Sequence, residues 1–206
     1  MLKKFLSNTR KPSESFLGDL MLSGMNRGHD RLSKYAISNF AIKKNDFILD
    51  IGCGGGKNIQ NLLEYTDNSV WGVDYSEASV KKSKKLNKKN IGKGRVKVLN
   101  ANVEELPFDS NTFDKITAFE TIYFWPNIIE NFKEVNRILK PGGRFLVANE
   151  LMNEKAAKYY MDKIDGMTVY SMNEIKNYME NAEFIDTDIR MNEDNKVIMV
   201  IGKKKI

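Results

Sequence analysis

A glycine-rich loop directly after a short apolar segment is the feature that most constrains how this chain folds. Residues 47–51 are mostly apolar, and the loop reads Asp50-Ile51-Gly52-Cys53-Gly54-Gly55-Gly56. Glycine allows the backbone to turn sharply and to approach a ligand closely. A strand that ends in such a loop and continues into a helix is typical of a parallel α/β sheet, which binds ligands at the carboxyl ends of its strands.

This loop does not match two well-defined glycine motifs. The dinucleotide fingerprint G-x-G-x-x-G, counted from Gly52, requires glycine where Lys57 stands. The phosphate-binding loop that ends in Gly-Lys requires glycine at Ile51 and serine or threonine at Asn58. The spacing that holds is D-x-G-x-G-x-G, beginning at Asp50. A nicotinamide-dependent oxidoreductase, one alternative for such a sheet, is therefore disfavoured by Lys57.

Short apolar segments alternate with segments of helical periodicity along the chain. Strands that alternate with helices form a mostly parallel sheet. The last two strands are separated only by a turn at residues 192–195, which is too short for a parallel crossover, so they pair antiparallel. The prediction is an α/β fold with a doubly wound, seven-stranded, mostly parallel sheet and an antiparallel last strand. Its strands lie at residues 47–51, 70–73, 96–99, 113–119, 144–149, 184–189 and 196–201. Helical periodicity covers residues 15–40 with a break at 24–28, and residues 59–63, 76–90, 128–139, 154–164 and 172–182.

Composition excludes several classes of protein. The chain has 206 residues, the length of one domain. A single cysteine, Cys53, forms no internal disulfide, and with the single histidine, His29, it supplies no Cys/His zinc site, so no metal is predicted. No apolar run approaches the ~20 residues of a membrane span, and no signal-peptide core is visible near the N-terminus. We therefore expect a cytoplasmic protein with no membrane span.

Four further segments follow the loop in order. They are Gly72-Val73-Asp74-Tyr75-Ser76, Leu106-Pro107-Phe108, Phe113-Asp114 and Glu134-Val135-Asn136-Arg137-Ile138-Leu139-Lys140-Pro141-Gly142-Gly143. Together with the loop they resemble the class I S-adenosylmethionine-dependent methyltransferases, in particular the small-molecule type that is similar to the ubiquinone/menaquinone-biosynthesis methyltransferases. The resemblance covers residues 47 to about 150, roughly half of the chain. It implies a Rossmann-like fold of seven strands, which agrees with the predicted sheet.

The resemblance also implies a binding site for S-adenosylmethionine, whose product after methyl transfer is S-adenosylhomocysteine. In that site Asp74 takes the ribose hydroxyls, and Asp50 holds the loop or meets the amino group of the cofactor. Asn102 contacts the adenine edge, at a position where the family often has aspartate. The implied cofactor-binding residues are Asp50, Gly52, Cys53, Gly54, Asp74, Tyr75, Ser76, Asn102, Val103, Glu104 and Glu120.

Catalytic and substrate residues are expected in the segments that flank this core. We predict catalytic roles for His29, Glu120 and Tyr123, and a substrate wall formed by Tyr123 and Trp125. Each has a structural alternative: His29 as a surface or capping residue, Glu120 as a solvent-facing carboxylate, and the aromatic segment as core. Cys53 is expected to be a loop residue rather than a catalytic thiol, because no histidine base is near it in the sequence.

The expected organisation is one methyltransferase domain over residues 1–206. Residues 1–40 form an N-terminal helical lid, residues 41–150 form the cofactor-binding core, and residues 151–206 complete the sheet and supply substrate-side helices. The expected reaction is in-line transfer of a methyl group to a small-molecule acceptor. An RNA methyltransferase that uses the lysine-rich segment 81–97 is an alternative, although no aromatic residue interrupts that segment to stack bases. A noncatalytic S-adenosylmethionine-binding protein is another, and the sequence leaves the acceptor and the oligomeric state open.

Overall fold

The structure is a computed structural model, and it describes residues 30–194 and 196–206. Within these residues the chain forms seven helices, one short 3-10 turn and seven strands. The helices are α1 (Asp30–Ser38), α2 (Lys57–Leu63), α3 (Glu77–Leu86), α4 (Lys88–Gly92), α5 (Ile128–Ile138), α6 (Glu154–Lys163) and α7 (Met172–Asn181), and the 3-10 turn is Ile122–Phe124. The strands are β1 (Ile48–Ile51), β2 (Val70–Asp74), β3 (Val96–Asn100), β4 (Phe113–Phe119), β5 (Leu139–Glu150), β6 (Phe184–Met191) and β7 (Val197–Lys204).

The seven strands form one sheet in the order β3-β2-β1-β4-β5-β7-β6. Strand β1 pairs in parallel with β2 and β4, β2 pairs in parallel with β3, and β4 with β5. Strand β7 runs antiparallel to both β5 and β6. This arrangement confirms the predicted doubly wound, mostly parallel sheet with an antiparallel last strand. The strand order reverses between β1 and β4, so the crevice for a ligand lies at the carboxyl ends of these two strands.

Helices cover both faces of the sheet, which explains why its strands are apolar runs rather than alternating patterns. On one face, Phe113, Phe132 and Phe145 belong to a core that includes residues of α5 and α7. On the other face, α1, α2 and α3 pack through residues such as Ile37 and Leu62. Every position of β1 is buried. The glycine loop that follows β1 is therefore anchored in the middle of the fold.

The helix predicted at residues 76–90 is divided, because Asn87 separates α3 from α4. The side-chain amide of Asn87 donates to the backbone oxygen of Gly56 at 3.0 Å. This contact with the glycine loop holds Asn87 out of a continuous helix. The predicted start of the helix is confirmed, since Ser76 Oγ accepts from the backbone N–H of Ser79 at 3.4 Å.

Strand β5 begins earlier than the sequence predicts, at Leu139 rather than at residue 144. Leu139 pairs with Phe113, and the register then shifts before Lys115 pairs with Arg144. The proline and two glycines between these pairs accommodate the shift, so they interrupt the ladder without ending the strand. Helix α5 still ends before them, as the sequence predicts.

The predicted catalytic residue His29 and residues 1–29 of the predicted lid lie outside the described residues. Helix α1 is described, and it buries Leu32, Ala36 and Ile37 against the domain. The division of the chain into lid, core and C-terminal part stays a prediction. Among the described residues, no helix combines the length and the apolar character that crossing a bilayer requires.

Candidate functional site

The glycine loop between β1 and α2 lies closely over the end of β2. Gly52 and Gly54 adopt positive φ angles of 72° and 51°, where a residue with a Cβ is strained. The backbone N–H groups of Gly52 and Cys53 both donate to the backbone oxygen of Val73, at 2.8 and 3.0 Å. A Cβ at Gly52 would also collide with the side chain of Thr121, which follows β4. The loop therefore joins the ends of β1, β2 and β4.

Asp74, the last residue of β2, holds the glycine loop with its side chain. Its Oδ2 accepts from the backbone N–H of Gly54 and its Oδ1 from the backbone N–H of Ser76, both at 2.9 Å. Asp74 is only 8% exposed. Burial raises the pKa of its carboxyl, although the two backbone donors act in the opposite direction. The structure thus brings together three of the predicted cofactor-binding residues.

Asp50, on β1, has one carboxyl oxygen without a partner. Its Oδ1 accepts from the hydroxyl of Thr117 on β4 at 2.8 Å, whereas its Oδ2 is buried and makes no hydrogen bond. Burial raises the pKa of Asp50 to about 7, and the charge of Asp74 acts in the same direction. A buried polar atom without a partner is costly. A bound cationic donor such as an ammonium group would satisfy this oxygen.

The side chain of Cys53 packs into the fold beneath the loop. Cys53 is 4% exposed, and a Cβ at Gly72 would lie 3.0 Å from its Sγ. Burial raises the pKa of the Cys53 thiol well above its ordinary value, and the charges of Asp74 and Asp50 act in the same direction. Because a protonated thiol is a poor nucleophile, these surroundings support the interpretation of Cys53 as a loop residue.

The predicted adenine-binding segment after β3 is held mainly by its own contacts. The side-chain amide of Asn102 donates to Glu104 Oε2 at 2.6 Å, and Asn102 Oδ1 accepts from the Glu104 backbone N–H at 3.4 Å. Val103 is buried in the core. Tyr75, which follows β2, is 37% exposed. Because β2 and β3 are neighbours in the sheet, Tyr75, Asn102 and Val103 lie along the same edge as Asp74. The contacts of these residues with adenine stay a prediction.

Glu120 and Tyr123 form an acid–hydroxyl pair beyond the end of β4. The Tyr123 hydroxyl donates to Glu120 Oε1 at 3.3 Å, and the backbone N–H of Glu150 donates to the same oxygen. Burial raises the pKa of Glu120 to about 8, and the charge of Glu150 acts in the same direction. Burial also raises the pKa of Tyr123 well above its ordinary value. Glu120 is therefore a partly buried carboxyl, which counts against its alternative as a solvent-facing carboxylate.

The segment that carries these residues matches a known protein family. A family model described as a methyltransferase domain matches residues 49–147. This match agrees with the resemblance to the class I S-adenosylmethionine-dependent methyltransferases. The matched residues run from β1 to β5 and include the glycine loop, Asp74 and Glu120. The resemblance inferred from the sequence is thereby confirmed.

Proteins similar to this chain differ widely in length. The sterol 24-C-methyltransferase of Kluyveromyces lactis is 29% identical over 125 residues, which are 61% of this chain and 34% of that protein. Phosphoethanolamine N-methyltransferase 2 of Haemonchus contortus has a TM-score of 0.78 at 16% identity, covering 100% of this chain and 61% of that one. Geranyl diphosphate C-methyltransferase of Streptomyces coelicolor has a TM-score of 0.72 at 15% identity, covering 87% and 78%. The chain thus spans about a third of the sterol methyltransferase, and the solved structures share its fold.

The aromatic segment after β4 packs largely in the core of the domain. Trp125 is 7% exposed, and its ring stacks on Phe145 with centroids 6.3 Å apart and meets Phe132 edge-on at 6.0 Å. This packing favours the core alternative for Trp125 over the predicted substrate wall. Tyr123 is 4% exposed, and its backbone oxygen accepts from the backbone N–H of Thr168 at 2.8 Å. That bond joins the segment after α6 to the 3-10 turn.

Two threonines of the site were not predicted from the sequence. Thr117 donates its hydroxyl to Asp50, and Thr121 packs against Gly52. Thr117 is the one hydroxyl among the apolar residues 116–119, and a polar residue in a buried strand is a signal that could have found it. Thr121 carries no such signal, because its contact depends on how β4 ends beside the glycine loop.

Proposed function

We propose that this chain is an enzyme that transfers the methyl group of S-adenosylmethionine to a small-molecule acceptor. The observation that carries the proposal is the buried, unpartnered Oδ2 of Asp50, which directly precedes the glycine loop within the matched methyltransferase domain. When bound, S-adenosylmethionine supplies a methyl group on a positively charged sulfur, and S-adenosylhomocysteine is the product. In this proposal residues 1–206 form one domain, with the cofactor-binding core at residues 41–150 and the lid at residues 1–40.

The described residues fit the polar groups of this cofactor. Asp50 Oδ2 accepts from its ammonium group, a role that requires an acceptor without another partner. Asp74 takes the ribose hydroxyls, because the two backbone donors and the Ser79 hydroxyl leave part of the acceptor capacity of its carboxyl unused. The backbone of the glycine loop would hold the cofactor between these two carboxyls. The remaining contacts are to adenine and the methionine end, from Tyr75, Ser76, Asn102, Val103, Glu104 and Glu120.

The protein's own contribution to the reaction is chiefly orientation, which supplies on the order of 7–11 kcal/mol when the reacting groups are held in line. A hydroxyl or carbon acceptor also needs a base. Burial raises the pKa of Glu120 to about 8, close to the operating pH at which a base is most effective. Glu120, supported by Tyr123, is therefore the base in this proposal, and His29 is the further candidate from the sequence. An amine acceptor that is bound in its neutral form needs no base.

A small-molecule acceptor is supported by the names of the relatives, which refer to a sterol, geranyl diphosphate and phosphoethanolamine. The RNA alternative relies on the lysine-rich segment 81–97. Within that segment Arg95 donates to the backbone oxygen of Thr66 at 2.7 Å, and the Lys97 ammonium lies 4.4 Å from the ring centre of Trp71. These two cations thus contact other residues of the chain, and no aromatic residue interrupts the segment to stack bases, so RNA has less support.

Calorimetric titration with S-adenosylmethionine, S-adenosylhomocysteine and NADH tests the cofactor. We expect the two adenosyl compounds to bind and NADH not to bind. Asp50→Asn keeps the hydrogen bond from Thr117 but replaces the free oxygen with an amide nitrogen, so the Kd of both adenosyl compounds rises about 10–100-fold. The matched variant Asp67→Asn, at an exposed carboxylate before β2, leaves both unchanged. Absence of binding by either adenosyl compound would overturn the proposal, and binding of NADH alone would favour an oxidoreductase.

Transfer of a labelled methyl group separates the enzyme from a noncatalytic binding protein. Labelled S-adenosylmethionine is incubated with the protein and with either a small-molecule extract or total RNA. We expect label in the small-molecule fraction only. Label in RNA would favour the nucleic-acid alternative, and binding without transfer to either fraction would favour a noncatalytic protein.

A further inference from the structure

The backbone of Glu120 is fixed beside the glycine loop. Its neighbour Thr121 fills the space that a Cβ at Gly52 would need. Glu120 itself has a φ of 54°, a left-handed conformation that is strained for a residue with a Cβ. Its backbone N–H donates to the backbone oxygen of Ala148 on β5 at 3.0 Å. These contacts hold the residue at the carboxyl end of β4, next to the crevice between β1 and β4.

The two carboxyl oxygens of Glu120 have different surroundings. Oε1 accepts from both the Glu150 backbone N–H and the Tyr123 hydroxyl. Oε2 accepts no hydrogen bond from the described part of the chain. One oxygen therefore anchors the carboxyl, and the other is available to a ligand.

We propose that Glu120 distinguishes S-adenosylmethionine from S-adenosylhomocysteine by the charge on the sulfur of the ligand. This inference rests on the proposed function, which places both ligands over the glycine loop. The two ligands differ only in the methyl group and the positive charge that accompanies it. An ionised carboxyl attracts the sulfonium and has no such attraction for the neutral thioether. The product then leaves more readily than the substrate.

This discrimination depends on pH, through the groups that face the Glu120 carboxyl. The pKa of Glu120 is raised to about 8, chiefly by burial. The charge of Glu150 on β5 also raises it, whereas the hydrogen bonds from the Glu150 backbone and from Tyr123 in the 3-10 turn lower it. Below that pH the carboxyl is largely protonated in the free protein. A sulfonium ligand favours the ionised form, so the carboxyl gives up its proton to the buffer. The neutral product leaves the proton in place.

Asp50 and Asp74 also titrate near the glycine loop, since burial raises the pKa of both carboxyls. In the proposed site they face the amino group and the ribose, which both ligands carry. The amino group of S-adenosylmethionine loses its proton at lower pH than that of S-adenosylhomocysteine, because the sulfonium withdraws electrons from it. Glu120→Gln keeps this difference, so comparison of the Kd ratio between wild type and Glu120→Gln isolates the effect of Glu120.

The test is calorimetric measurement of both Kd values from about pH 6.5 to about pH 9.5. We expect the ratio of the S-adenosylhomocysteine Kd to the S-adenosylmethionine Kd to rise about tenfold across this range. Titrations near pH 7.5 in buffers of different ionisation enthalpy measure proton release, which we expect to be greater for S-adenosylmethionine by roughly half a proton. In Glu120→Gln the rise and the proton release that depend on the carboxyl are absent, and only the pH dependence of the amino groups of the ligands remains.

Glu150→Gln is the matched variant, because it removes a like charge but keeps the backbone N–H that holds Glu120. We expect the rise in the ratio to remain and its midpoint to move to lower pH. The inference would be overturned by a wild-type ratio that does not change with pH, or by the same rise in Glu120→Gln. In either case, binding of S-adenosylhomocysteine would still support the proposed cofactor site. Absence of binding by both ligands at every pH would overturn the proposed function and this inference together.

Discussion

The backbone N–H of Gly54 donates to Asp74 Oδ2 at 2.9 Å, so the carboxyl at the end of β2 holds the loop that follows β1. The second oxygen of Asp74 accepts from Ser76 at the start of α3. One side chain thereby connects two loops that belong to different βα units. The same carboxyl is the proposed ribose ligand, which means that the shape of the loop and the binding of the ligand depend on one residue.

Asp74→Asn tests this double role. The amide keeps one oxygen but presents an NH2 group to one of the two backbone donors, so one buried hydrogen bond is lost. We expect the free energy of unfolding to fall by about 1–3 kcal/mol, as for loss of a hydrogen bond to a charged group. The Kd for S-adenosylmethionine rises about 10–100-fold for the same reason. Chemical unfolding and calorimetry measure the two effects.

The control for Asp74→Asn is Asp67→Asn, whose exposed carboxylate lies 4.0 Å from Lys44. It removes the same charge at a site where an ion pair contributes little, so both measured quantities stay within error of the wild type. If Asp74→Asn retained wild-type affinity, the assignment of Asp74 to the ribose would be wrong. If its stability were also unchanged, the loop would not depend on this carboxyl.

Gly52→Ala and Gly54→Ala separate backbone strain from steric collision in the loop. Both glycines have positive φ, so alanine is strained at either position, by about 1–2 kcal/mol. Only at Gly52 does the added Cβ also collide with Thr121, whereas at Gly54 no atom lies within 4 Å. We expect urea unfolding to show a loss of about 2–4 kcal/mol for Gly52→Ala and about 1–2 kcal/mol for Gly54→Ala. Equal losses would contradict the close packing of Thr121 on the loop.

The sheet was predictable because its central strands are buried on both faces. Residues 47–51 and 70–73 are mostly apolar, with Asp50 as the one charged residue, which is how a strand covered on both sides is expected to look. The short turn before β7 required an antiparallel pair. The same topology predicts that Asp50, Asp74 and Glu120 belong to one site. They lie at the carboxyl ends of β1, β2 and β4, which are neighbours in the sheet.

The features that the sequence did not predict depend on contacts between distant segments. Asn87 ends α3 because its amide reaches the backbone of Gly56, and no local pattern distinguishes it from another helical asparagine. An aromatic residue such as Trp125 is equally suited to a core and to a substrate wall. Its stacking on Phe145, which belongs to β5, favours the core. The pairing of Tyr123 with Glu120 likewise depends on the 3-10 turn between β4 and α5.

Trp125→Ala tests the core assignment. Truncation of a buried tryptophan between Phe132 and Phe145 leaves a cavity, so we expect the free energy of unfolding to fall by about 3–5 kcal/mol. The less severe Trp125→Phe costs less. Tyr159→Ala on α6, at an aromatic that is 47% exposed, is the matched control and changes stability by less than about 0.5 kcal/mol. Full stability of Trp125→Ala combined with loss of methyl transfer would instead support the substrate wall.

The buried carboxyl of Asp50 gives the stability of the fold a dependence on pH. Burial raises the pKa of Asp50 to about 7 in the folded chain, whereas an aspartate in an unfolded chain titrates near ~4. Between these values the folded state keeps a proton that the unfolded state has released. The free energy of unfolding therefore falls as the pH rises from about 4 to about 7, by on the order of 2–4 kcal/mol, and then levels off.

Asp50→Asn removes this contribution, because the amide does not titrate and keeps the acceptor for Thr117. Urea unfolding at intervals from about pH 4.5 to about pH 8 is expected to give a flatter stability curve for the variant than for the wild type. Some slope remains in the variant, since burial also raises the pKa of Glu120, to about 8. Asp67→Asn, at its exposed site, is expected to run parallel to the wild type. If the curve for Asp50→Asn were as steep as that of the wild type, Asp50 would already be ionised in the folded protein near pH ~4. Its second carboxyl oxygen would then have a partner within the protein and would not be available to a ligand.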